Sequence, residues 1–301
     1  MRDLPDTASM TRLDASDWPL SAPCLLNGQA VLAVITAIEG ASYRPLGAAM
    51  AIAPDGRCFG SLSSGCIEQD VVHHAQQAQH NASGPVVLRY GKGSPFMDLQ
   101  LPCGGGLEVT LIPNPDPTLL AQIRADLEDR RETNLTIAPT GLGRAGPGLA
   151  LTLLPPLRML VFGKGPEPIT FAAMARASGH QVMLFSHDDE TRAQVPGAHA
   201  LGRGWPAQLR VDARCAVAMF FHDHDREPEL LQAALQTPAF YIGAQGSARA
   251  RETRLQSLRD LQVPQAALAR LAHPFGLIPS VRNPQALAVS VLADILDKAR
   301  G

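Results

Sequence analysis

The chain has 301 residues, 46% hydrophobic and 18% charged, with a net charge of −2. That length is generous for one core, so two domains are expected, and the composition supplies ample apolar material to bury. A near-neutral chain with 5% aromatic residues offers neither a basic field nor stacking platforms, which argues against nucleic acid or an anionic membrane surface as partner.

In chain order, the first fifteen or so residues read as a loose tail, and the polar start Met1-Arg2-Asp3-Leu4-Pro5-Asp6 lacks the apolar core of a signal peptide. Ala30–Ile38 (AVLAVITAI) reads as a buried strand ending in the loop Glu39-Gly40-Ala41-Ser42-Tyr43-Arg44-Pro45. Residues 48–53 and 57–60 form a strand pair around Pro54-Asp55-Gly56. A helix over 67–79 follows, with Glu68 and Asp70 at the positive end of its dipole. Strands are expected at 86–90 and 107–112, a helix over 118–131, and short strands near Leu135 and Leu151, with the Gly/Pro-rich 140–148 stretch as a turn. Leu154-Pro155-Pro156 is the boundary, because two prolines end any element and stiffen a linker.

Beyond it strands alternate with helices, the pattern of a parallel sheet. Strands are read at 158–162, 181–185, 215–220 and 239–242, and helices at 169–178, 227–235, 247–261 and 284–298. No apolar run approaches the roughly 18 residues of a membrane span. Five scattered cysteines form no disulfide framework, so reduced thiols in a cytoplasmic setting are expected.

Cys66 (Ser64-Gly65-Cys66-Ile67-Glu68) and Cys103 (Pro102-Cys103-Gly104-Gly105-Gly106) sit in glycine-rich turns. Glycine gives no side chain to a core but lets backbone N–H groups approach a ligand. Each thiol is therefore placed either to react or to touch something bound. Cys24, Cys58 and Cys215 lie in or near apolar segments and read as buried.

Gly163-Lys164-Gly165 follows a strand and opens a helix, the context of a dinucleotide-binding turn. Pro168 stands where a third glycine belongs, and Phe185-Ser186 ends the next strand where an acidic residue should hold a ribose. A phosphate-bearing ligand other than NAD is the preferred reading, with NAD and an empty turn as alternatives. His222-Asp223-His224-Asp225 ends a strand at the carboxyl edge and reads as a helix cap and ligand contact ahead of a metal site. Gly243-Ala244-Gln245-Gly246-Ser247 enters another helix, with Ser247 as its cap and Arg249 able to face an anion. Pro274-Phe275-Gly276-Leu277 reads as structural. Arg44 suits a phosphate or a ring edge, or else pairs with Glu39 or Glu68. No Walker A loop, HExxH or CxxC is present, and nothing specifies a hydrolase or kinase.

These segments in this order resemble the XdhC/CoxI family of xanthine dehydrogenase accessory proteins. The likeness runs through Gly40–Pro45, Gly60–Glu68, Cys103-Gly104-Gly105, Phe162–Gly165, His222-Asp223-His224, Tyr241–Gly243 with Gly246-Ser247 and Arg249, Pro274–Leu277 and Ala288–Ile295. The resemblance implies a binding and delivery protein without turnover of its own. It would hold the molybdenum cofactor, a molybdopterin, while a cysteine desulfurase sulfurates it, and pass it to the molybdenum-binding subunit of a xanthine dehydrogenase-type enzyme. A homodimer is implied as well. Cys66 and Cys103, with Gly65, Gly104 and Gly105, would lie near the molybdenum or the incoming sulfur. Arg44, the Gly163–Gly165 turn, His222 and the Gly243, Gly246, Ser247, Arg249 group would line the rest, phosphate included.

The chain departs from the family pattern at Ser64 (usually glycine), Pro166 (usually histidine), Ser186-His187 (usually acidic) and Phe221 (usually threonine). These departures bear on the nucleotide half of the pocket more than on the cysteine half, and suit a plain pterin phosphate better than a dinucleotide form. The expected fold is α/β, an N-terminal mixed α/β domain of the XdhC/CoxI type over 1–153 and a C-terminal Rossmann-like parallel-sheet domain over 157–301. The rival class is an NAD(P)-binding oxidoreductase using the second domain.

Overall fold

The computed structural model describes residues 10–81, 84–91, 104–221 and 226–300. The chain divides into two compact units between Pro155 and Pro156.

The first unit carries β1 (Thr11–Asp14), α1 (Pro23–Leu26), β2 (Val31–Glu39), β3 (Ala49–Ile52), β4 (Cys58–Gly60), α2 (Glu68–His80), β5 (Val86–Gly91), β6 (Gly106–Pro113), α3 (Pro117–Glu128), β7 (Thr133–Ala138), β8 (Gly141–Gly143) and β9 (Leu149–Leu154). Its larger sheet has the antiparallel order β4-β3-β2-β6-β5, and its smaller one the order β1-β9-β7-β8. Both faces of the larger sheet are covered, which is why β2 is a continuous apolar run. Val31, Ala33 and Ile35 point into a core with Ile67, Val71 and Ala75 of the α2 region. Leu32 and Val34 point into a second core with Leu120 and Ile123 of α3 and Leu151 and Leu153 of β9.

Two sequence expectations for this unit change. Thr11–Asp14, read as tail, pairs in parallel with Leu151–Leu154; its hydrogen-bonding partner lies at the far end of the unit, so no local pattern announces it. The 140–148 turn contains β8, paired with β7.

The second unit carries β10 (Arg158–Gly163), α4 (Pro166–Ala177), β11 (Gln181–Ser186), α5 (Asp189–Ala193), β12 (His199–Ala200), β13 (Cys215–Phe220), α6 (Glu227–Leu235), β14 (Tyr241–Ala244), α7 (Ala248–Asp260), α8 (Gln265–Leu268) and α9 (Pro284–Lys298). Every strand pair is parallel, in the order β12-β11-β10-β13-β14. That is the doubly wound order, with the reversal of direction between β10 and β13. β13 again serves two cores: Cys215, Val217 and Met219 face α6 and α7, while Ala216, Ala218 and Phe220 face α4 and α9. The Rossmann-like parallel sheet expected of the C-terminal half is present.

Candidate functional site

In the first unit, register gathers the motifs at one end of the larger sheet. β2 ends there at Glu39, opposite Gly106 at the start of β6; β5 ends beside Gly106, and Gly60 ends β4 opposite Met50. The 40–48 loop, the 61–67 loop and Gly104-Gly105 therefore share that end. A Cβ on Gly105 would lie 2.7 Å from both the Glu39 and the Ala41 carbonyl oxygens, so only glycine lets this strand start pack against the Arg44 loop. Cys103 itself lies outside the described residues.

Glu68 organises the loop that bears Cys66. Its carboxylate accepts the Ser63 amide (2.7 Å), the Leu62 and Ile67 amides (3.3 Å each) and the Ser61 and Ser63 hydroxyls (3.2 and 2.5 Å). Ser63 in turn accepts the Cys66 amide through its hydroxyl oxygen at 3.1 Å. Partial burial pushes the Glu68 carboxyl up, but the Ser63 hydroxyl and amide and the neighbouring amides outweigh it, and it titrates below the ordinary glutamate range. With its base tied inward, the loop turns Cys66 out to solvent, and Gly65 (φ +95°) leaves open space beside it. Cys58, read as buried, is exposed: it sits on β4, the edge strand of the sheet. Cys24 and Cys215 are buried.

Arg44 pairs with neither Glu39 nor Glu68. It reaches Asp17 at 3.7 Å, and Glu39 is taken by Arg89 at 3.0 Å. Beside Arg44 the Tyr43 ring is 59% exposed. Among the described residues no group of three His, Cys, Asp or Glu side chains could hold a metal ion.

In the second unit, the Gly163–Gly165 turn keeps Rossmann geometry but not Rossmann donors. Gly163 lies so close to the Phe220 carbonyl that a Cβ would overlap it. At the start of α4, Pro166 and Pro168 have no N–H, and the Gly165 amide donates to the Thr191 hydroxyl at 2.9 Å. Thr191 is held in turn by Asp188, which it meets at 2.6 Å. Of the four N–H groups that a helix start ordinarily offers, Pro166 and Pro168 supply none and that of Gly165 is taken. The Thr191 hydroxyl and amide keep the Asp188 carboxyl below its usual value. Asp188 is a helix cap here rather than a ribose ligand. His222 lies outside the described residues.

A crevice of about 640 Å³ opens beyond the carboxyl ends of β13 and β14, between the start of α7 and the 271–282 segment. Gly246 and Ser247 line it, and Ser247 caps α7 through its hydroxyl, which accepts the Ala250 amide at 3.2 Å. Gly243 lies beneath: a Cβ there would sit 2.5 Å from the Phe275 ring. Arg249 is exposed and does not line the crevice; Arg251, Arg254 and Arg282 do. The Pro274–Leu277 segment, read as structural, supplies part of the wall through Pro274 and Phe275. A buried carboxylate fixes it: Asp294 accepts the Tyr241 hydroxyl at 2.7 Å and the Gly276 amide at 3.3 Å.

The sequence model of the XdhC Rossmann domain matches residues 159–295, and that of the XdhC and CoxI family matches residues 26–91. The chain is also 31% identical to the molybdenum cofactor insertion chaperone PaoD of Escherichia coli, over 97% of this chain and 90% of that protein. The chain belongs to the XdhC and CoxI family. A second relative, a probable xanthine dehydrogenase subunit of Bacillus subtilis, is 23% identical over 89% of this chain and 92% of its own length. The crystal structure of a xanthine dehydrogenase from Bacillus halodurans superposes with a TM-score of 0.76 at 22% identity, covering 96% of each chain. At that identity it speaks for the fold.

The two matched stretches of the XdhC and CoxI pattern hold Arg44 and Cys66 in one unit and the crevice in the other. Sequence reasoning missed Arg251, Arg282 and the loop-building role of Glu68. Helix phase carried a signal for the first. Leu258 is a core residue of α7, and positions four and seven before it, Arg254 and Arg251, share its face, whereas Arg249 does not.

Proposed function

We propose that this chain binds the molybdenum cofactor as cargo and inserts it into the molybdenum-binding subunit of a xanthine dehydrogenase-type enzyme. The observation that carries this reading is the 31% identity to PaoD, a molybdenum cofactor insertion chaperone, across 97% of the chain. The site chemistry suits it. Cys66 offers a soft ligand beside open glycine backbone at one end of a rigid sheet, and soft thiolate tolerates a thiophilic metal. No general base stands within hydrogen-bonding reach of the Cys66 thiol among the described residues, which favours a holding role over a nucleophilic one. Presentation of the cargo to a cysteine desulfurase, assembly as a homodimer and a cytoplasmic location belong to the same proposal. Among the described residues no helix is long and apolar enough to cross a membrane.

The test is co-purification. Protein made in cells that synthesise the cofactor should carry a pterin, seen as fluorescence after oxidation, with molybdenum by mass spectrometry, and should activate an apo-molybdoenzyme. Cys66→Ala and Cys103→Ala should each lower that load. Absence of pterin from the wild-type protein, or saturable NAD(P) binding with turnover, would overturn the proposal in favour of an oxidoreductase.

A further inference from the structure

The geometry points to the crevice of the second unit as a site for a flat apolar ring carrying a phosphate, with Arg251 and Arg282 as the residues that read the phosphate.

Among the described residues, the crevice lining is unbalanced in charge. The described lining contains three arginines and a histidine and no aspartate or glutamate. One arginine is already neutralised: Arg254, buried at the base, donates to Glu227 at 2.5 Å and to the Gln245 carbonyl at 2.6 Å. Arg251 and Arg282 have no ion pair or side-chain hydrogen bond among the described residues, and Arg251 is half-buried in the wall. A guanidinium partly withdrawn from water without a counter-anion lacks the partner that its geometry fits best, a planar or tetrahedral oxyanion taken by two parallel N–H bonds.

The rest of the wall selects what carries the anion. Phe221, Phe275, Leu271 and Leu287 give it apolar surface. The start of α7 adds backbone donors on the same side as Arg251. An apolar floor with cations at its rim fits an amphipathic anion better than a free inorganic one. At the Gly163–Gly165 turn, by contrast, Pro166 and Pro168 bring no N–H and the Gly165 amide is taken by Thr191, which favours this crevice for the anion.

Which molecule brings the phosphate rests on the reading above, in which the cargo is a pterin phosphate; the site itself is argued from the crevice alone. The probe is 1-naphthyl phosphate, with 1-naphthol as the same ring without the anion, titrated into the full chain by fluorescence. Wild type should bind the phosphate well and the alcohol weakly. Arg251→Ala should weaken the phosphate about tenfold, and the Arg251→Ala/Arg282→Ala pair further, by at least as much again. Arg249→Ala should change nothing, and all variants should melt as wild type does. Equal binding of phosphate and alcohol, or wild-type affinity in the double variant, would overturn the inference. A double variant that keeps its full pterin load would sink this site while sparing the chaperone reading. Arginine-dependent binding of naphthyl phosphate by a protein that carries no pterin would do the reverse.

Discussion

The Thr191 hydroxyl accepts the Gly165 amide at 2.9 Å and donates to Asp188 at 2.6 Å, so a side chain occupies the position that a pyrophosphate oxygen takes in a nucleotide-binding turn. Thr191→Val leaves the amide and the carboxylate without their shared partner. We expect a loss of about 1–3 kcal/mol in the second unit, measured by urea unfolding with Trp205 as reporter in a Trp18→Phe background. Titration of wild type with NADH at micromolar concentrations should give no saturable fluorescence change.

Glu68 makes the Cys66 loop sensitive to acid. Its folded-state pKa is depressed, so its contribution is present above the ordinary glutamate value of about 4.3 and is lost as pH falls through the lower folded value. Glu68→Gln should cost about 1–3 kcal/mol at neutral pH and remove the backbone hydrogen-exchange protection of Ser63 and Cys66. Wild-type stability, followed by Trp18 fluorescence, should then fall more steeply between pH 5 and 3 (about the glutamate range) than that of the variant. Parallel slopes for the two proteins would contradict this account.

Gly243→Ala and Gly65→Ala separate two uses of glycine. At Gly243 the new methyl meets the Phe275 ring at 2.5 Å, and overpacking should cost about 1–3 kcal/mol and displace the crevice wall, so naphthyl phosphate binding should weaken with stability. At Gly65 nothing lies within 4 Å but φ is +95°. The cost there is of backbone origin, about 1–2 kcal/mol, and the crevice should be untouched. Thermal melts and the same titration distinguish them.

Asp294 is the anchor of the Gly276 segment. Burial, and then Asp294 itself, push the Tyr241 hydroxyl far up, so it stays a donor at every working pH. Asp294→Ala leaves that hydroxyl and the Gly276 amide unsatisfied and should destabilise the second unit by about 2–4 kcal/mol. Hydrogen exchange at Gly276, Leu277 and Ile278 should rise above the global rate of the variant.

Elements with their own period or their own punctuation were legible in the sequence. β2 and β13 announced themselves as unbroken apolar runs because both their faces are buried. α6 and α9 were bounded by prolines and leucine spacing, and their observed limits, Glu227–Leu235 and Pro284–Lys298, are those read from the sequence. Features that depend on a distant partner were not. Thr11–Asp14 is a strand only because Leu151–Leu154 receives it, and Cys58 is exposed because, among the described residues, no strand pairs beyond β4. Gly243 looked like an approach point for a ligand, while its immediate neighbour is Phe275, 32 positions on. The Asp17 partner of Arg44 was hidden in the same way.

The parallel pairing of Thr11–Asp14 with Leu151–Leu154 also bears on how the protein is made. On the ribosome the N-terminal segment emerges first, yet it has no strand to join until the last strand of its unit has been synthesised. The small sheet therefore cannot close until β9 has been made and has left the ribosome, when synthesis has already passed the Pro155-Pro156 boundary. A nascent chain halted before Leu149 exposes the β7 edge and leaves Leu13 without its pocket, which makes that interval the stage of synthesis most open to mispairing.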